Sequence, residues 1–380
     1  MENNILLSIA IPTYNRAVCL EKLLNNILPQ AKKIEEKIEI CISNNGSTDN
    51  TREVVMKFAK EYPGLINYHE NEKNLGIDKN VLLVIEMAVG QFMWTFGDDD
   101  TIIEGGLSEV VELIKKNSNE KTGLILIREE QFFIDHKTKE RVVCLNTVDK
   151  EMPEVFQIKR EEITGLSFPD IAWISALIFN NKLVKKMFTH DRSVIEAGIG
   201  TLHPHLPLIV FMFLKYPHIK GLAFNKHAIV QQELASYKSF IEDKFVVHYQ
   251  VQKKLNSLLL SYKHMDKANA LLIINNDKKL RKAFIIDMLV MRAFGNFKYF
   301  SYVGCLKLFF LQAIFIDALI FSLVFSVLFL IPPVMLISSY KVLLMQRYGK
   351  EWKSKWKTTY DMTFIVDSGT RRRMLSDLAN

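Results

Sequence analysis

An apolar run, Gln91–Phe96, stops at a glycine, and three carboxylates follow it as Gly97-Asp98-Asp99-Asp100. No cation stands within this stretch, and like charges about 4 Å apart repel by about 1 kcal/mol per pair even in bulk water. A hard divalent cation such as Mg²⁺ or Mn²⁺ offsets that repulsion. Mg²⁺ commonly takes only one or two protein carboxylates and completes its shell with phosphate oxygens and water. Taken alone, the triplet also suits a solvated acidic turn ahead of a helix that begins near Glu104.

Two other polar clusters have the same placement at the end of an apolar run: Pro12-Thr13-Tyr14-Asn15-Arg16 and Asn44-Asn45-Gly46-Ser47. The elements that must position them alternate. Apolar runs at Ile5–Ile11, Ile38–Ser43, Leu65–His69, Gln91–Phe96 and Gly123–Arg128 are separated by helical stretches through Leu28 and over Thr51–Glu61, Asp78–Val89 and Glu104–Lys116. That alternation predicts an α/β domain with a mostly parallel sheet covered by helices on both faces. Ligands of such sheets gather at the carboxyl ends of the strands, where all three clusters fall. Ser47-Thr48-Asp49 and Asp78 stand where short polar side chains accept orphan N–H bonds at helix starts.

A chain of 380 residues, 49% apolar and 24% charged, is a core-forming protein rather than a disordered one. Its formal charge of +7 is concentrated at one end: Lys341–Asn380 holds nine Lys/Arg against four Asp/Glu. The four cysteines, Cys19, Cys41, Cys144 and Cys305, show neither metal-like spacing nor disulfide density, which favours a reducing compartment. The first residues do not read as a secretory signal. No GxxxxGK[ST] or GxGxxG is present, so a P-loop or dinucleotide domain is unsupported.

Four ordered segments, Ser8–Arg16, Ile42–Thr51, Asn74–Asn80 and Trp94–Asp100, together resemble the family 2 glycosyltransferases of the GT-A fold. The finer likeness is to the bacterial surface-polysaccharide branch that includes abequosyltransferases. The resemblance is close over about residues 5 to 120 and implies several roles. Pro12, Thr13, Tyr14 and Asn15 line the base and ribose of a nucleotide, and Asn44 and Asn45 stand where the family usually has an acidic residue against the base. Asn74, Gly76 and Asn80 lie beside the nucleotide. Asp98 neighbours the ribose or diphosphate, and Asp99 or Asp100 is the ligand of Mn²⁺ or Mg²⁺. The resemblance also implies an inverting transfer, which needs a base near the acceptor hydroxyl. The family's usual Glu-Asp pair has no clear counterpart: Asp170, Asp191, Glu196, His203 and His205 are the candidates, and His203-Pro204-His205 falls where the pair is expected. A histidine can act as base near neutral pH.

Residues 308–337 carry one charge, Asp317, and 318–337 carry none, long enough to cross a bilayer core of about 30 Å as a helix. Pro332-Pro333 interrupts the run and basic residues flank both sides, so a single span and a re-entrant hairpin both fit. Lys341–Lys357, with Trp352 and Trp356, has the character of an interfacial segment for anionic lipid. The expected organisation is a GT-A domain over 1–230, a helical region over 231–300, and a membrane-associated segment with a basic tail over 301–380. The expected activity is transfer of a sugar, hexosyl or deoxyhexosyl, from a nucleotide-diphosphate donor to a saccharide acceptor, lipid-linked, at the cytoplasmic face of the cell membrane. No nucleic-acid partner is expected. The alternative is a non-catalytic membrane scaffold of a polysaccharide assembly complex.

Overall fold

The computed structural model describes residues 5–233, apart from 135–140, 150, 161–162, 164–172, 197 and 201–202. The apolar segment, the basic tail and Asp170 therefore lie outside the described residues. Among the described residues no helix is long and apolar enough to cross a membrane.

The first half alternates as its apolar periodicity requires. β1 (Ile5–Thr13) leads to α1 (Ala17–Lys32), β2 (Lys37–Asn44) to α2 (Thr51–Glu61), and β3 (Ile66–Glu70) to α3 (Ile77–Met87). β4 (Phe92–Thr95) and a short β5 (Asp100–Ile102) precede α4 (Gly106–Asn117) and β6 (Thr122–Ile127). β7 (Glu129–Ile134), β8 (Arg141–Asn146), β9 (Val155–Ile158), β10 (Leu177–Asn180), β11 (Lys220–Phe224) and β12 (Val230–Glu233) complete the strands, with helices at Asn181–His190, Arg192–Glu196 and His205–Lys215.

Eight strands form the main sheet in the order β3-β2-β1-β4-β10-β6-β11-β9. The β3-β2-β1-β4 half is parallel throughout, whereas β10 runs antiparallel to both β4 and β6. β1, β4 and β6 are buried almost along their length, as strands covered on both faces must be. Leu20, Leu23, Leu24, Ile27 and Leu28 recur on one stripe of α1 and pack into the core with Ile9, Ile11, Ile40 and Trp94.

Three details differ from the sequence reading. α1 continues through Pro29 to Lys32 rather than ending at Leu28, because its apolar stripe still has Ala31 to bury. α3 begins at Ile77, so Asp78 lies inside its first turn; its Oδ2 accepts from the amide of Gly200. A second sheet, β5-β12-β7-β8, has no counterpart in the apolar pattern, and β12 continues past position 230 to Glu233. Its β5 has only three residues, too few to show a period.

Candidate active site

β1 and β4 are parallel neighbours, in register from Leu7 with Phe92 to Ala10 with Thr95, so their carboxyl ends emerge side by side. Thr13 from one and Asp98 from the turn after the other meet there: Thr13 Oγ1 donates to Asp98 Oδ2 at 2.7 Å. Arg16 Nη1 lies 2.9 Å from Asp98 Oδ1 and 2.8 Å from Asp99 Oδ2. The counter-charge that the acidic triplet lacks in its own stretch thus comes from the turn after β1.

Asp100 is held differently. Ser175 donates its hydroxyl to Asp100 Oδ2 and accepts from the Gly97 amide at 2.7 Å. Ser175 is itself fixed through β4, because Trp94 Nε1 donates to its carbonyl at 2.8 Å and Thr95 Oγ1 donates to the Ile174 carbonyl at 2.6 Å. Asp100 Oδ1 is buried and has no hydrogen-bond partner among the described residues. The carboxylates fold back over Gly97, where an added Cβ would stand 2.9 Å from Asp100 Oδ2 and 3.2 Å from Asp99 Oδ1. Only glycine leaves that room. The backbone of Asp100 is also strapped from outside, pairing with Gln232 of β12.

The loops around this turn lock one another. Asn15 adopts a left-handed φ of 52°, which asparagine tolerates better than most residues. Its amide donates to Ser47 Oγ at 2.8 Å and its Oδ1 accepts from the Thr48 amide at 2.7 Å. Asp49 accepts from the amide of Ala17, the first residue of α1, at 3.0 Å. Arg16, at the N-cap, makes no capping bond, so its side chain can extend to the aspartates. Gly46 has φ 70°, and a Cβ there would sit 2.8 Å from the backbone of Lys73. The β2 turn is therefore pressed directly against the segment before α3.

A buried web of carboxamides fills that junction. Asn45 Nδ2 donates to Asn74 Oδ1 at 3.0 Å and to the Gly76 carbonyl at 3.3 Å, while its Oδ1 accepts from the Leu75 amide and from Asn71. Asn80 Oδ1 accepts from Ser43 and Asn71, and its Nδ2 donates to the carbonyls of Ser43 and Thr13. Asn44 links Tyr68 to the Ser47 amide. Asn44, Asn45 and Asn80 are buried and use their polar atoms on the protein. Tyr14, Asn15, Arg16, Asn74 and Gly76 are exposed, Pro12 is half-buried, and Asp99 is 34% exposed.

His203 and His205 stand edge to face with ring centroids 5.6 Å apart at the start of the helix His205–Lys215. His205 is buried, His203 half-buried. The loop before them is tied to α3 through the Gly200 amide on Asp78. Sequence reasoning gave no site role to Arg16, Ser175 and Asn71. A cation at a strand's carboxyl end facing an uncompensated acidic triplet is the signal for Arg16. Ser175 and Asn71 carry no signal short of the fold.

The electrostatics follow from burial. Asp100 is fully enclosed, which pushes its carboxyl well above the ordinary value; the charge of Asp99 adds to this and the Ser175 hydroxyl opposes it. Burial raises Asp98 as well, against the pull of Arg16 and Thr13. Burial works against the charge of Arg16, but Asp98 and Asp99 outweigh it and hold the guanidinium charged. An enclosed carboxylate oxygen with no hydrogen-bond partner among the described residues is suited to a divalent cation, whose charge offsets the burial. Among the described residues no group of three or more His, Cys, Asp or Glu side chains could enclose a metal; a hard cation at Asp99 and Asp100 can complete its shell with phosphate oxygens and water.

Residues 8–183 match Glycosyl transferase family 2. Over that stretch the chain is similar to the family. Abequosyltransferase RfbV of Salmonella typhimurium is 32% identical over 216 residues, 55% of this chain and 61% of the relative. GalNAc(5)-diNAcBac-PP-undecaprenol beta-1,3-glucosyltransferase of Campylobacter jejuni is 30% identical over 33% of this chain and 39% of the relative. The chain thus spans less than two thirds of each. The glycosyltransferase stretch also shares its architecture with solved structures. The crystal structure of S. aureus TarS 1–349 superposes with a TM-score of 0.51 over 74% of this chain and 72% of that one, at 17% identity. The mannosyltransferase PcManGT of Pyrobaculum calidifontis, solved with GDP-Man and Mn²⁺, gives 0.51 over 94% and 84%, at 12% identity. At these identities the likeness is one of fold, and the fold is GT-A-like.

Proposed function

We propose that this protein transfers a sugar from a nucleoside-diphosphate donor to a saccharide acceptor carried on lipid, in bacterial surface-polysaccharide synthesis. The observation that carries the reading is the Gly97–Asp100 turn, which places a buried carboxylate oxygen of Asp100, without a partner among the described residues, at the carboxyl ends of two parallel strands. The name of the Campylobacter relative includes PP-undecaprenol, which supports a lipid-linked acceptor here. The uncharged run 318–337 and the basic tail support placement at the cytoplasmic face of a membrane.

Asp99 and Asp100 would hold Mg²⁺ or Mn²⁺, which when bound supplies Lewis-acid stabilisation of the departing diphosphate. The chain's own residues do the positioning. Ser175 and the Gly97 amide fix Asp100, Thr13 and Arg16 fix Asp98, and the carboxamide web fixes the loops on either side. Because these groups are set before any ligand arrives, little reorganisation is needed as charge develops on the leaving group. Tyr14, Asn74 and Gly76 are exposed and form the surface offered to the nucleoside, while Asn44, Asn45 and Asn80 act through the frame they hold. The proton of the acceptor hydroxyl goes to the His203–His205 segment, where the half-buried His203 is the more accessible ring, or to Asp170. The direct attack of that hydroxyl inverts the anomeric centre.

A thermal-shift panel of UDP-, GDP-, CDP- and dTDP-nucleotides, with and without Mn²⁺, tests the reading. A rise selective for one base and dependent on metal is expected. No rise with any nucleotide and metal would instead favour the non-catalytic scaffold.

A further inference from the structure

Arg16 uses its guanidinium unevenly. Both ion pairs run through a single nitrogen, Nη1, at 2.9 Å from Asp98 and 2.8 Å from Asp99. Nε and Nη2 have no hydrogen-bond partner among the described residues, and the side chain is 48% exposed. The unused edge is the planar fork that matches a phosphate's oxygens bidentately. The two acids are also anchored unequally. Asp98 keeps Thr13 as well as Arg16, whereas Arg16 is the one partner Asp99 has among the described residues. A cation taking Asp99 would break one Arg16 contact and leave the other in place.

From this asymmetry we propose that Arg16 is an exchangeable counter-ion: it neutralises Asp99 in the metal-free protein, yields Asp99 to the metal, and turns its free Nε/Nη2 edge to the donor diphosphate. The proposal rests on the nucleoside-diphosphate reading above. The rigid loop supports it, since Asp49 caps α1 in place of Arg16 and Asn15 is locked by Ser47 and Thr48. The backbone is held while the side chain remains free to pivot. A cation pre-placed beside the metal carboxylates also limits their repulsion while the site is empty.

The test uses the full chain and two probes that require no knowledge of the base: Mn²⁺ alone, followed by electron paramagnetic resonance of the free ion, and inorganic pyrophosphate at saturating Mn²⁺, followed by calorimetry. In Arg16→Gln, affinity for Mn²⁺ alone should rise about two- to fivefold, the scale of a partly exposed ion pair. Affinity for pyrophosphate should fall about ten- to a hundredfold, the scale of charge-assisted hydrogen bonds. Arg16→Lys keeps the charge but not the fork, so its Mn²⁺ affinity should stay within about twofold of wild type while pyrophosphate binding still weakens. Circular dichroism confirms that both variants fold. If wild type binds both probes and Arg16→Gln matches it for either one, the exchange is overturned and the donor reading stands. If wild type binds neither probe, the donor reading itself fails.

Discussion

Asp100 and Ser175 are 75 residues apart in the chain and share one hydrogen bond, with Ser175 donating to the carboxylate oxygen that faces Gly97. The same hydroxyl accepts from the Gly97 amide, so one side chain from the turn before β10 closes the aspartate turn after β4. Removing it leaves a buried amide and a buried carboxylate oxygen without partners. Ser175→Ala should therefore destabilise the protein by about 1–3 kcal/mol. Chemical denaturation measures the loss, and Ser175→Thr, which keeps the hydroxyl, should recover part of it.

Gly97 has no freedom to gain a side chain. A Cβ would stand 2.9 Å from Asp100 Oδ2 and 3.3 Å from Ser175 Oγ, so Gly97→Ala must push the carboxylates outward. Affinity for Mn²⁺ with nucleotide should fall about tenfold or more, because a small displacement of a positioned group costs on this scale. Calorimetric titration of the variant beside wild type checks it. Unchanged affinity would mean that the carboxylates are not held over Gly97.

Asparagine rather than an acidic residue at the second strand end has a physical explanation in Asn45. Its Nδ2 donates to two oxygens, Asn74 Oδ1 and the Gly76 carbonyl, and a carboxylate at that position could donate to neither. Asn45→Asp should cost about 1–3 kcal/mol or more, since it sets a buried charge against acceptors. Asn44→Asp should cost less, because the Tyr68 hydroxyl, now 2.9 Å from Asn44 Nδ2 and donating to Glu70, can redirect its proton to the new carboxylate while Glu70 keeps Arg52. Thermal denaturation of the two variants orders them; equal losses would refute this explanation.

The pH dependence of the metal-free protein follows from Asp100. Burial, reinforced by Asp99, raises its folded-state carboxyl well above 3.8, so between the unfolded and folded values the folded chain holds the extra proton. Its contribution to stability is full below about pH 4 and is lost as pH rises through the folded value. The melting temperature of wild type should fall more between about pH 5 and about pH 8 than that of Asp100→Asn. Saturating Mn²⁺ should reduce the difference, because the cation favours the carboxylate. Parallel slopes for the two proteins without metal would contradict the burial of Asp100.

Much of this was legible in the sequence, for reasons that differ by element. Parallel strands buried on both faces leave long apolar runs, so β1, β2, β4 and β6 stand out, and the turns after β1, β2 and β4 are marked by polar clusters. The second sheet was hidden because β5 has only three residues and β12, Val230-Gln231-Gln232-Glu233, is mostly polar, so neither leaves an apolar run. At the site, the acidic triplet was visible but its counter-charge was not. The sequence shows no cation between Gln91 and Asp100, whereas the fold brings Arg16 from 82 residues away. The nucleotide roles of the asparagines are what the family resemblance implies; the burial of Asn44, Asn45 and Asn80 in a web where their polar atoms bond to the protein is visible only in the fold.

The most direct measurement is Mn²⁺-dependent turnover of the nucleotide-sugar selected by the thermal-shift panel, in wild type and in Asp100→Asn, with circular dichroism to confirm that the variant is folded. Asn is nearly isosteric and can still accept from Ser175, so the scaffold should persist while metal-assisted departure of the diphosphate is lost. The account predicts release of the nucleoside diphosphate by wild type, and a rate reduced about a hundredfold or more in Asp100→Asn. Equal rates in the two proteins, or a wild-type rate indifferent to chelation of Mn²⁺, would contradict it.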